Sequence, residues 1–141
     1  MKDGWEIRLA EYVAEHASRP PEIGVHDCLT FANGAARAMT GKGFADDWIG
    51  HYLDERAVLV PRAVLQEVFG YRRLHLALSA RLPRVERAVR GAIVGTHRAA
   101  YPSLGTRLAL GVSVGNALAY VGTDGLAMVK PTEFDYAWGL G

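Results

Sequence analysis

The stretch Pro21-Glu22-Ile23-Gly24-Val25-His26-Asp27-Cys28-Leu29-Thr30-Phe31 decides the fold. A Pro/Gly loop ends at the chain's one cysteine and runs directly into an apolar segment of helical period, so Cys28 is predicted on the first turn of a helix. A helix N-terminus favours a thiolate and lowers a thiol pKa. Asp27, as the expected N-cap, satisfies orphan N–H groups, but its charge pulls the thiol pKa the other way unless a protonated His compensates. His26 lies two residues away. Two readings of Cys28 are therefore open: a reactive nucleophile, or a buried inert thiol in a core helix.

Upstream, Trp5, Leu9, Tyr12, Val13 and His16 share one face of a helix over Asp3–His16, with Asp3 as its cap and His16 placed against the C-terminal dipole. Pro20 and Pro21 end it. Downstream, the Cys28 helix runs to about Met39 and stops at Thr40-Gly41. Its many small residues, Ala32, Gly34, Ala35, Ala36 and Ala38, suit a central helix packed closely on a sheet. The connection through Asp46, Asp47, Trp48, His51 and Tyr52 reads as a satellite packing cluster or a substrate rim. Pro61 opens a helix over Val64, Leu65, Val68 and Phe69 that Gly70 breaks, and Leu74 to Leu82 holds another short one. The series Arg72, Arg73, Arg81, Arg84, Arg87 and Arg90 reads as a solvated face, because no aromatic residues interleave it.

After Gly91 the pattern changes. Segments 92–97, 108–114, 117–121 and 126–129 are short, apolar and partly β-branched, punctuated by Gly115-Asn116 and Thr123-Asp124-Gly125, and residues 136–138 read as a last edge strand. Helices over 1–82 followed by strands over 91–141 give an α+β fold with the Cys28 helix on an antiparallel sheet, in one domain over 1–141. The 141 residues suffice for a core without disulfides or metal, and one Cys excludes an intrachain disulfide and a multi-cysteine metal site. With 16 basic and 15 acidic residues the net charge is +1, which gives no footprint for nucleic acid. No apolar run reaches the ~18 residues of a membrane span, and no signal segment opens the chain, so delivery by a larger assembly is expected. No cofactor or metal is expected.

Pro21, Gly24, Asp27, Cys28 and Phe31 resemble the start of NlpC-type cell-wall cysteine peptidases, which have a papain-like fold. The sequence is more similar to a set of phage and prophage tail-associated proteins, through Trp5, the Gly24–Ala32 motif, Thr40-Gly41, Ala109–Val112 and Ala137-Trp138. The resemblance spans nearly the whole chain and rests on the order and spacing of these motifs. It implies a tail-tip location in the virion, or the host cytoplasm during assembly, with other tail-tip or hub proteins as partners and peptidoglycan stem peptides as substrate.

A cysteine peptidase needs a base within hydrogen-bond reach of its thiol. The resemblance places that His at Ala109 and an Asp at Ala92, and both are alanine here. His97, at the end of the neighbouring strand, and His26 are the remaining candidate bases, with Cys28 as nucleophile. Two function classes stay open: a peptidase, and a structural module of the tail tip without turnover. No pattern specifies substrate-binding residues.

Overall fold

A computed structural model describes residues 1–98, 101, 102, 104 and 107–140. Four helices, α1 (Trp5–His16), α2 (Cys28–Thr40), α3 (Arg62–Phe69) and α4 (Leu74–Ser79), precede five strands, β1 (Ile93–Thr96), β2 (Ala109–Ser113), β3 (Leu118–Gly122), β4 (Gly125–Val129) and β5 (Tyr136–Trp138). All pairings are antiparallel, and the sheet order is β4-β3-β2-β1-β5. Consecutive strands β1 to β4 form a meander, and β5 returns to the open edge of β1. The architecture is α+β, as the change of pattern at Gly91 implies.

α2 is buried on almost every side. Cys28, Leu29, Phe31, Ala32, Ala35, Ala36 and Met39 are all in the interior, because one flank packs on the sheet and another on α1. Strand alternation supplies the matching sheet face. Ile93, Leu110, Val112, Ala119, Val121 and Trp138 join the α2 residues in the main core. The opposite face is also covered: Val94, Leu118, Tyr120 and Ala137 pack with Val85, Ala88 and Phe134. Both faces of the middle strands are therefore dry, which accounts for their lack of polar alternation. No helix among the described residues is long and apolar enough to cross a membrane.

Several expectations need correction. Helix α1 starts at Trp5 after Gly4, whose left-handed φ of 75° turns the chain, and Asp3 makes no side-chain cap. Pro61 stands at the N-cap of α3, just ahead of its first turn. Trp48 and Tyr52 belong to the main core, at 2% and 0% exposure, and not to a satellite or a rim. Long-range packing decides this: Trp48 meets Phe69 edge-on at 5.1 Å and lies under the Arg81 guanidinium at 3.9 Å. Arg81 also bonds Asp47 (2.8 Å, Nη2 to Oδ2) and Arg84 lies over Tyr136 at 4.8 Å, while all six arginines of the basic series are exposed, as a solvated face implies.

The close approach of α1 and α2 depends on Gly34. A Cβ there would collide with the Tyr12 ring and its hydroxyl, which donates to the Phe31 carbonyl at 2.9 Å. Helix propensity alone says Gly34→Ala stabilises by about 1 kcal/mol, whereas overpacking costs about 1–3 kcal/mol. Since the colliding ring is itself pinned, the packing cost should win. Chemical denaturation of Gly34→Ala should give a lower midpoint than wild type, and a higher one would show that Tyr12 swings away freely.

Candidate functional site

The loop before α2 is folded by its own backbone and by one carboxylate. Glu22 and His26 exchange main-chain hydrogen bonds of 2.9 and 2.7 Å, closing a tight turn. Gly24 sits in it at φ 86°, with Leu53 against the position a Cβ would take. Asp27 caps α2 through a capping box: its Oδ1 accepts from Thr30 N at 2.8 Å, and Thr30 Oγ1 accepts from Asp27 N at 2.7 Å. Its Oδ2 accepts from Gly24 N at 2.7 Å and from the Tyr52 hydroxyl at 2.6 Å. The Tyr52 bond to Asp27 is what sequence reasoning missed, because it spans 25 residues and leaves no local pattern.

Cys28 is the first residue of α2, 2% exposed, and packed against β2. The register between β2 and β3 runs only from Gly111↔Tyr120 to Ser113↔Leu118, and the Leu110 N–H faces the sulfur. Burial pushes the thiol pKa up to about 12, with the Asp27 charge adding to the rise and the N–H groups of Leu110, Leu104 and Cys28 itself opposing it. The thiol is therefore protonated at neutral pH, contrary to the lowering that a helix N-terminus alone suggests.

The structure does not bring either candidate base to this sulfur. His26 is 1% exposed and packs on the α1 side, stacked on His16 at 5.4 Å and edge-on to Phe31 at 5.9 Å, and its Nε2 has no hydrogen-bond partner. Burial, then the Arg19 and His16 charges, lower its pKa, while Asp27 raises it. It is thus a neutral core imidazole at pH 7. His97 lies just past β1 and is exposed; its Nδ1 is 2.8 Å from the Arg107 carbonyl and its Nε2 3.3 Å from the Tyr136 hydroxyl. Nδ1–H is then the donor, and Nε2 accepts from Tyr136. Asp135 bonds the His97 main chain at 2.8 Å, not its ring.

The Ala109 substitution also needs restating. Leu110 and Val112 turn towards α2, so strand alternation puts Ala109, paired with Thr96, on the opposite face. A His at 109 would project away from Cys28.

A pocket of about 250 Å³ reaches Cys28, walled by Pro21, Ile23, Pro102, Leu104 and Val121, with Glu22 and Asp27 at its polar end. Neither histidine lines it. The chain belongs to the family DUF6950, a domain of unknown function. The family's model matches residues 1–140, so the Cys28 loop and the β5 edge fall within one match. No curated protein matches the sequence. Among the described residues no group of three or more His, Cys, Asp or Glu side chains could hold a metal ion. What the site of this chain offers chemically is an apolar cleft ending at a protonated thiol ringed by N–H donors.

Two measurements test this site. The raised thiol pKa means stabilisation that is complete below the ordinary value of 9.0 and lost as pH rises towards about 12. The stability of wild type should therefore fall faster than that of Cys28→Ala across that window, by up to about 1.4 kcal/mol per pH unit; parallel curves would mean the thiol is not buried. Removing the Asp27 carboxylate strands the Gly24 and Thr30 N–H groups and the Tyr52 hydroxyl. Asp27→Ala should cost about 3 kcal/mol and Tyr52→Phe about 1 kcal/mol in urea melts, with a double mutant well short of their sum.

Proposed function

We propose that the chain is a papain-like, NlpC-type domain that serves as an assembly component of a phage tail tip, its Cys28 kept as a structural thiol without turnover. The observation that carries this reading is the state of Cys28: 2% exposed, raised to about 12, and hydrogen-bonded to no imidazole. The fold and tail assignments rest on the ordered resemblance of Trp5, Gly24–Ala32, Thr40-Gly41, Ala109–Val112 and Ala137-Trp138, together with a helix-initial cysteine on an antiparallel sheet. Trp48, Tyr52 and Trp138 are buried and are unavailable to a partner. The apolar residues that a tail protein would meet are instead Ile23 and Val25, 46% and 54% exposed on the loop that precedes Cys28.

A second reading, a peptidase acting on peptidoglycan stem peptides, is favoured by one feature. The pocket opens onto Cys28, and the N–H groups that face its sulfur are of the kind that hold an oxyanion. It requires His97 or His26 to leave its present partners on substrate binding.

Particles carrying wild-type protein, Cys28→Ala or no protein distinguish the two. A structural role predicts failed tail assembly on deletion, with normal tails and unchanged wall digestion for Cys28→Ala. Normal tails that have lost digestion would overturn it in favour of the peptidase.

A further inference from the structure

We propose that a second pocket, remote in character from the Cys28 cleft, binds an anion of the phosphate class. It is about 100 Å³ in volume, and Arg62, Arg72, Arg73 and Arg107 line it with Gln66 and Tyr71. These residues arrive from three places. Arg62 and Gln66 stand one turn apart on α3; Gly70, at φ 76°, ends that helix and directs residues 71–73 across the opening. Arg107 comes from the residues just before β2, and its carbonyl is held by the His97 ring. No carboxylate among the described residues lines the pocket.

Charge distribution makes this arrangement informative. Arg37, Arg56, Arg81 and Arg98 each have an acidic partner; the pocket arginines, like Arg8, Arg19, Arg84, Arg87 and Arg90, have none within 4 Å among the described residues, but only the pocket arginines converge on one cavity. The whole chain carries only +1, so the convergence is not a by-product of general basicity. Like charges gathered in a partly enclosed space repel one another and are balanced by an anion held there. Planar guanidinium forks match phosphate oxygens in pairs, and several such forks present more donors than one carboxylate can accept. The cavity has room for a phosphoryl group between the guanidinium forks. The proposal stands independently of the tail-tip reading.

Calorimetric titration at low ionic strength with inorganic pyrophosphate, inorganic phosphate and acetate tests it, using wild type, Arg72→Gln/Arg107→Gln and, as a control outside the pocket, Arg87→Gln. Saturable phosphate or pyrophosphate binding by wild type and by Arg87→Gln is expected, at least about tenfold weaker in the double variant, with acetate much weaker than either. The two phosphate probes separate a site for free phosphate from one that prefers a linked phosphoryl group. Equal binding by wild type and double variant, no saturable binding, or acetate binding as tightly as phosphate would overturn the proposal. Melting in anion-free buffer gives a second readout: relief of repulsion should raise the melting temperature of the double variant above wild type, and added pyrophosphate should reverse the order. A double variant less stable than wild type without anion would mean the arginines serve internal contacts, and the proposal fails.

Discussion

The rest of the structure depends on the Asp27 carboxylate. Its two oxygens accept from Thr30 N, Gly24 N and the Tyr52 hydroxyl, which fixes three things at once: where α2 begins, how the loop before it turns, and where the connection to α3 docks. Each bond alone contributes about 1–2 kcal/mol. Their common acceptor makes them cooperative, since a carboxylate left in the interior without them would be too costly to bury. Cys28, the residue after Asp27, is placed by this network.

Two effects compete over the chemistry of Cys28, and their sizes decide the outcome. A helix N-terminus favours a thiolate by about 0.3–1 kcal/mol, up to ~2 in partly buried settings. A rise from 9.0 to about 12 corresponds to about 4 kcal/mol against the thiolate. Burial therefore overrides the helix end even with the Leu110, Leu104 and Cys28 N–H groups helping, and the Asp27 charge that organises the loop works in the same direction as burial. The requirement for a stable helix start and the requirement for a reactive thiol conflict at this position, and stability wins.

Local signals were legible in the sequence because their physics is local. The helix start at Cys28, its Asp27 cap, the stop at Gly41 and the strands punctuated by Gly115-Asn116 and Thr123-Asp124 each depend on a few neighbouring residues. What could not be read depends on contacts between distant segments. Trp48 is placed by Phe69 and Arg81, Tyr52 by Asp27, and the arginine pocket by three segments spread from 62 to 107. Arg72 and Arg73 are solvent-exposed, as their pattern implies, but nothing in their own neighbourhood announces Arg107. His26 next to Asp-Cys looked like a partner for the thiol, but the turn closed by Glu22 sends its ring to His16 and Phe31.

Register, more than residue identity, explains why no base meets Cys28 from the sheet. The strand positions near the thiol that turn towards α2 are Leu110 and, by alternation, Leu108, and both lie in the main core. Ala109 faces the side where Thr96 meets Asp135, across the thickness of the sheet from α2. Replacing Ala109 by His would therefore add an imidazole on the wrong face. Replacing Leu110 would put a polar ring where the core is dry, at a cost comparable to removing a buried leucine. A base on β2 needs the strand shifted by one residue, and that shift would turn Val112 and Leu110 out of the core that holds the sheet to α2.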